Sequence, residues 1–343
     1  MSSEHLLRFN QLPPAEKTEG GWRITATKKN FPILQGMSLY KLLLEVKGIR
    51  EPHWHANADE LGYCLRGEVL VTLFNTGNTK ATFLVKTGEM FFIPSGALHG
   101  IENVGQSQAE LILSFSHEDP EDFHLSNTVA MFTDAVLGNT WNQKSKVFQH
   151  LKRTHTYAFA TVRQDSPKVP ESARYASIYR YPVESAQPLL LNSGGSARMA
   201  RQDTWPIVKR QAMYSLQLTG QGMREPHWHP ETAELGYIEK GKGRMSILSP
   251  SGTVDTYTME EGDAYFIPRA YPHHIENLKE EDLRILVFFD RGMPGDVGFT
   301  GSVRAFSNET LGSVLDAPPS FFDQLPKYYE DLFIVQKINP LDL

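Results

Sequence analysis

The segment Gly48-Ile-Arg-Glu-Pro-His-Trp-His55 returns as Gly222-Met-Arg-Glu-Pro-His-Trp-His229, and this long-range repeat restricts the possible folds more than any other feature of the chain. His53 and His227 are 174 residues apart, and the same offset carries Gly20 onto Gly194, Pro32 onto Pro206, Tyr40 onto Tyr214 and Glu60 onto Glu234. It also carries Gly88 onto Gly262, Pro94 onto Pro268, His99 onto His273, Asn103 onto Asn277, Phe132 onto Phe306 and Leu151 onto Leu325. One ungapped register therefore aligns 20–151 with 194–325, and the chain is a tandem duplication. The expected organisation is an N-terminal domain at 20–151, a linker at 152–193, a C-terminal domain at 194–325 and a tail at 326–343. Gln164-Asp-Ser-Pro167 and Pro170-Glu-Ser172 punctuate the linker, and Tyr175-Ala-Ser-Ile-Tyr-Arg-Tyr181 within it has the composition of an edge strand. The segments 1–19 and 326–343 lie outside the repeat and are candidates for arms that pack on a neighbour.

A chain of 343 residues gives each half enough length to bury its own core. Each unit is dense in short apolar runs. Tyr40–Val46, Leu65–Phe74, Ala81–Val85 and Glu110–Phe115 have strand length, and Asn75-Thr-Gly-Asn78 is a turn cluster between two of them. Many short strands separated by Gly, Pro and Asn predict an all-β sandwich or barrel. Late in each unit the pattern lengthens, and short helices outside the barrel are expected at 126–137 and 309–315.

The composition narrows the function. Hydrophobic residues at 40% and charged residues at 22% describe a globular protein. A net charge of −6 and a pI near 6.1 give no footprint for nucleic acid or an anionic membrane. No apolar run approaches the roughly 20 residues that span a bilayer, and the N-terminus does not read as a secretory signal. The single cysteine, Cys64, excludes an intramolecular disulfide and reads as a buried small hydrophobe. A reducing, cytoplasmic setting is the simplest expectation.

His53 and His55 are two apart, so on a strand both imidazoles face one side. Glu60 follows after a small turn, and His99 arrives from a distant strand. Three imidazoles and a carboxylate suit a divalent metal and leave coordination positions open. The second half repeats the set with His227, His229, Glu234 and His273. A lone His-x-His is as readily explained by core histidines satisfied through hydrogen bonds. Two complete sets at identical spacing, using half of the twelve histidines, point instead to one metal per half. His274, adjacent to His273, falls out of register with the ligands. Trp54 and Trp228 project away from the histidines and are expected to pack in the core.

These residues resemble the bicupins. His53-x-His55, four residues, Glu60, six residues and Gly67 follow the first cupin motif. Gly88, five residues, Pro94-Ser-Gly96, two residues, His99, three residues and Asn103 follow the second. Gly241, Gly262, Pro268 and Asn277 complete the match in the second half, which has Ala270 where glycine is usual. Gly48 and Gly222 stand one residue closer to the histidines than the common pattern. The resemblance implies two tandem jelly-roll barrels with short flanking helices.

Met223–His229 and Phe92–Ile101 are similar to the oxalate decarboxylase branch. That similarity implies a carbon–carbon lyase: manganese- and dioxygen-dependent cleavage of oxalate to formate and carbon dioxide. It also implies an assembly of trimers or hexamers, and an arginine three residues before the first histidine ligand that holds the substrate carboxylate. Arg50 and Arg224 fill that place, and a guanidinium suits a small dianion. Strict alternation would put Arg50 opposite His53, unless Pro52 introduces a bulge.

The halves differ after the last core strand, where His117-Glu-Asp-Pro-Glu-Asp-Phe123 faces Arg291-Gly-Met-Pro-Gly-Asp-Val297. In the decarboxylases a mobile loop hereabouts supplies a glutamate for proton transfer, so Glu118, Asp119 or Glu121 is the candidate acid/base, at the N-terminal site. The family's Ser-Glu-Asn-Ser-Thr lid is absent, and a family glutamate of the second domain falls on Val287. Other enzyme readings are an oxidase or dioxygenase of another small acid or phenol, since cupin sites share ligands across reactions. A non-catalytic metal-binding bicupin is the reading of a different class. Affinity alone favours copper or zinc over manganese, with iron and nickel also compatible.

Overall fold

The computed structural model describes residues 3–153, 156–326 and 331–341. The chain divides into two compact units, Leu12–Pro32 with Gly36–Pro182, and Met1–Gln11 with Ile33–Gln35 and Val183–Leu343.

Each unit is a pair of antiparallel sheets. In the first unit a seven-stranded sheet runs Arg180–Tyr181, Met90–Ile93, Glu60–Arg66, Ala109–Phe115, Ser38–Leu44, Gly21–Ala26 and Glu16–Thr18. The facing sheet runs Asp122–His124, Gly48–His55, Leu98–Asn103, Glu68–Asn75 and Thr79–Lys86, with Ala160–Val162 also paired to Gly48–His55. The second unit repeats the plan, from Leu6–Leu7 at one edge of its larger sheet to Ile334–Gln336 on the strand Gly222–Trp228. This is the jelly roll that the resemblance to the bicupins implied.

Alternation places the core. Along Glu68–Asn75, Val69, Val71 and Leu73 are fully buried, whereas Phe74 is 46% exposed. Leu70 points to the outer face yet is buried, because Ala173 of the connecting segment packs over it and Leu84. The run expected as one strand over Leu65–Phe74 is two strands, since Gly67 takes φ 91° between Glu60–Arg66 and Glu68–Asn75 and turns the chain from one sheet into the other.

The stretch 152–193 carries strands as well as turns, and they extend the repeat. Leu6–Leu7 pairs with Tyr265 and Ala264, and Arg180–Tyr181 with Phe91 and Met90, all related by the same 174-residue step. Ala160–Val162 and Ile334–Gln336 are related in the same way. Segments from both tails therefore add strands within this chain.

The expected helix at 126–137 is two helices, Leu125–Met131 and Asp134–Thr140, separated because Thr133 is a β-region N-cap whose side chain accepts from Val136 N. In the second half the helices are Phe299–Arg304 and Asn308–Leu315, and Ser307 caps the latter through Thr310 N. Trp54 does not pack in the core. It is half-buried on the outer face, stacked on Phe123 at 5.5 Å between centroids, and Trp228 is half-buried too. Cys64 is fully buried, as expected. No helix of the described residues is long and apolar enough to cross a membrane.

Candidate metal centres

Three strands assemble the first cluster. His53 and His55 lie on Gly48–His55, His99 pairs directly with His53 from the neighbouring strand, and Glu60 opens the strand Glu60–Arg66 of the facing sheet. One ligand atom from each of the four lies within 4.8 Å of all the others, and the same holds for His227, His229, Glu234 and His273. All eight residues are at most 3% exposed. His274 stays outside the second set and pairs with Glu276 at 3.5 Å.

Hydrogen bonds fix which ring nitrogen faces inward. His53 Nδ1 lies 2.7 Å from Glu51 O and His99 Nδ1 lies 3.0 Å from Ala97 O. A carbonyl oxygen only accepts, so each Nδ1 donates and the Nε2 lone pair is left for the cluster. His227 and His273 are held in the same way by Glu225 O and Tyr271 O. His55 Nδ1 is hydrogen-bonded to Asp122 Oδ1 at 2.7 Å, whereas His229 Nδ1 donates to Gly295 O at 3.2 Å and has Asp296 Oδ1 2.8 Å away as an ion-pair partner. Such carboxylate–imidazole pairs orient the ring and raise its basicity as a ligand.

The charges call for a cation. Burial alone would raise the Glu60 carboxyl, but His99 and His55 outweigh it and hold it at about 2. Burial, with Arg50 and the other imidazoles, pushes His53 far below the ordinary histidine range, so it is neutral. Burial opposes protonation of His229 as well, yet Asp296 and Glu234 lift it to about 9. Glu60 Oε1 is buried without a hydrogen-bond partner. Inward lone pairs, an ionised carboxylate and an orphaned oxygen form a donor set that fits a divalent metal, which these four residues in each half would hold.

Beside the first cluster is a small cavity, about 10 Å³, walled by Arg23, Tyr40, Arg50, Ile101 and Phe115 among others. That is room for about one water, so a larger ligand beside the metal enters only as the surrounding side chains shift. Arg50 reaches it because Glu51 and Pro52 together oppose Gly100, a bulge that returns Arg50 to the inner face. Its Nη1 donates to Phe159 O at 3.1 Å and its Nη2 approaches Asp122 Oδ2 at 3.4 Å. Arg224 lines the matching cavity of the second half, donating to Phe333 O at 2.9 Å and pairing with Asp296.

The three acidic loop residues do not reach the cavity. Glu118 accepts from Gly36 N at 2.9 Å and faces Lys28, Asp119 pairs with Lys29 at 2.9 Å, and Glu121 is exposed. The loop carboxylate that does reach the cluster is Asp122, the last residue of the acidic run. Asp122 and Asp296 are equivalent positions of the repeat, and that shared carboxylate is the signal in the sequence that points to them. Val287 forms part of the second cavity wall. The sequence reading also missed Tyr265, whose hydroxyl donates to Glu234 Oε1 at 2.6 Å. The first half has Phe91 in this place, which leaves Glu60 Oε1 bare. Both rings lie across a glycine: a Cβ on Gly62 would sit 2.2 Å from Phe91, and one on Gly236 2.0 Å from Tyr265.

The model of a family described as Cupin matches residues 9–148 and 183–319. Oxalate decarboxylase OxdC of Bacillus subtilis (strain 168) is 26% identical over 322 residues, covering 90% of this chain and 81% of that protein. A probable oxalate decarboxylase of Arthroderma benhamiae is 25% identical over 319 residues, covering 90% of this chain and 78% of its own length. Germin-like protein 3-5 of Oryza sativa subsp. japonica is 38% identical over 88 residues, 25% of this chain and 39% of its own. Among solved structures, Bacillus subtilis oxalate decarboxylase at pH 4.6 superposes with a TM-score of 0.86 at 24% identity, covering 98% of this chain and 88% of that one. Another structure of that enzyme, from work on its Mn(II) centres, gives 0.87 at 24% identity, covering 98% of this chain and 90% of that one.

Proposed function

The chain belongs to the cupin family, and from that premise we propose that it is a metal-dependent bicupin enzyme of a small carboxylate, with oxalate the leading substrate and formate and carbon dioxide the products. The observation that carries this reading is Arg50 in the cavity wall next to the first metal set, fixed by Asp122 and Phe159 O. A guanidinium so placed supplies charge-assisted donors to a carboxylate. The oxalate decarboxylases among the relatives support the substrate, and the Mn(II) centres of the Bacillus subtilis enzyme support manganese. Held by His53, His55, Glu60 and His99, the metal would polarise a bound carboxylate and carry the electron transfer that dioxygen initiates in this chemistry.

The chain's own residues bind and orient. Arg50 takes a carboxylate, Asp122 fixes both Arg50 and His55, and the apolar faces of Ile101 and Phe115 keep water sparse. Tyr40 stays protonated because burial raises its hydroxyl far above the ordinary range, so it faces the cavity as a donor. Hydrogen oxalate must lose its proton, and the one-carbon product must gain one. Glu118, Asp119 and Glu121 are the loop acids proposed for this work, and they act only if the loop leaves its contacts with Gly36, Lys28 and Lys29. Those contacts favour a competing reading, oxidase chemistry on the same substrate, in which no carbon is protonated.

Manganese-reconstituted protein supplied with oxalate and dioxygen separates the readings. Formate and carbon dioxide in equal amounts support the decarboxylase, hydrogen peroxide with carbon dioxide supports the oxidase, and a fully loaded protein that turns over neither way contradicts both and favours a binding role. Solution mass measurement would test the proposed trimer or hexamer, and cell fractionation the cytoplasmic setting.

A further inference from the structure

The walls of the two cavities differ at one charged position. The repeat register matches Tyr40 with Tyr214, Arg50 with Arg224 and Phe115 with Phe289, but it sets Arg23 against Ala197. Arg23 lies in the strand Gly21–Ala26, and its guanidinium sits 5.0 Å from the Tyr40 ring centre and 5.4 Å from that of Phe159. Arg50 lies 4.9 Å from the same Phe159 ring. Arg23 Nη1 donates at 3.0 Å to Asp122 Oδ2, the oxygen that Arg50 Nη2 also approaches. Its other anionic partner is Glu16, which in turn accepts from the Tyr157 hydroxyl. In the second half Glu16 and Tyr157 correspond to Leu190 and Asp331, so the whole arrangement belongs to the first half alone.

A guanidinium offers five N–H donors, and Asp122, Glu16 and Phe159 O use only part of the ten that the two arginines bring to this wall. A monocarboxylate beside the metal is satisfied by Arg50. A dicarboxylate brings a second anionic end that needs its own donor in a buried site. We propose that Arg23 is a specificity residue, forming with Arg50 a two-guanidinium clamp that makes the first cavity selective for a dicarboxylate over a monocarboxylate. The second cavity, with Arg224 and Ala197, lacks that selectivity. The inference rests on the small-carboxylate reading above and assigns it to one half.

Calorimetric titration of the manganese-loaded full chain, without dioxygen so that nothing turns over, tests this with oxalate and with acetate. Arg23→Ala is expected to weaken oxalate binding by about 10- to 100-fold, the scale of one lost charge-assisted contact, while acetate shifts by less than about 3-fold. Equal losses for both ligands would make Arg23 a positioning residue for Asp122 and overturn the proposal, as would unchanged oxalate affinity. If Arg23→Ala loses manganese or fails to fold, Glu16→Gln decides. It keeps Arg23 but removes a fixed counter-charge, so oxalate binds several-fold tighter and acetate is unmoved, whereas no change or weaker oxalate binding overturns the clamp. Wild-type protein that binds neither ligand defeats the small-carboxylate reading itself, an outcome distinct from a lost preference.

Discussion

The two metal sets are nearly superimposable in their donors and unlike in their surroundings. Ring centres in the first half stand 5.0, 4.2 and 5.3 Å apart (His53–His55, His53–His99, His55–His99), against 4.9, 4.1 and 5.6 Å in the second. Around them, Arg23, Glu16 and Phe91 of the first half become Ala197, Leu190 and Tyr265 of the second. The duplication has kept the cation grip and let the cavity walls diverge. Metal binding and ligand handling are therefore separable properties here, and substitutions that exchange the halves measure each one.

The largest effect is expected where the halves agree. Asp122→Asn removes a carboxylate from both His55 and Arg50, and Asp296→Asn does the same to His229 and Arg224. Each should weaken manganese binding at its own site by about 10- to 100-fold. Only Asp122→Asn should also abolish most turnover if the first half is the reactive one. Equal loss of turnover from the two variants would break the comparison.

The next contrast is Phe91 against Tyr265. Tyr265→Phe strips Glu234 Oε1 of its hydrogen bond, so metal-free protein should lose about 1–3 kcal/mol of stability in denaturant titrations. The loss should shrink once metal is bound, because the ion's charge would then stabilise the Glu234 carboxylate in place of the lost donor. A stability change that is the same with and without metal would show that the ion does not stabilise this carboxylate.

A smaller contrast is conformational. Ala270 holds φ 62° where its counterpart Gly96 holds φ 77°, and nothing lies within 4 Å of the place a Cβ on Gly96 would take. The cost at Ala270 is therefore backbone strain and not crowding. Ala270→Gly should stabilise the protein by about 1 kcal/mol, and Gly96→Ala should destabilise it by a similar amount, read from thermal unfolding.

Much of this was legible in the residues. The ligand sets, the β-class and the helices outside the barrel follow from the repeat and the turn chemistry, and the bulge at Pro52 was foreseeable because proline cannot complete the ladder. What stayed hidden depends on chain segments meeting across the fold. Nothing local to Asp122 announces that it reaches His55, and nothing local to Glu118 and Asp119 announces their contacts with Gly36, Lys28 and Lys29. Arg23 lies 27 positions before Arg50 on a strand of the facing sheet, so only the closed barrel brings them to one cavity. The strands Leu6–Leu7 and Arg180–Tyr181 are too short and too different in sequence to reveal their equivalence. Thr133 followed by Asp134 was a readable cap that the expectation of a single helix overrode.

Metal stoichiometry tests the centre of the account most directly. After manganese reconstitution and removal of unbound ion, elemental analysis should give about two ions per chain for the wild type, one for His53→Ala and one for His227→Ala, as expected when each half closes its own set. A wild-type content near zero, or a content that neither substitution lowers, would contradict it.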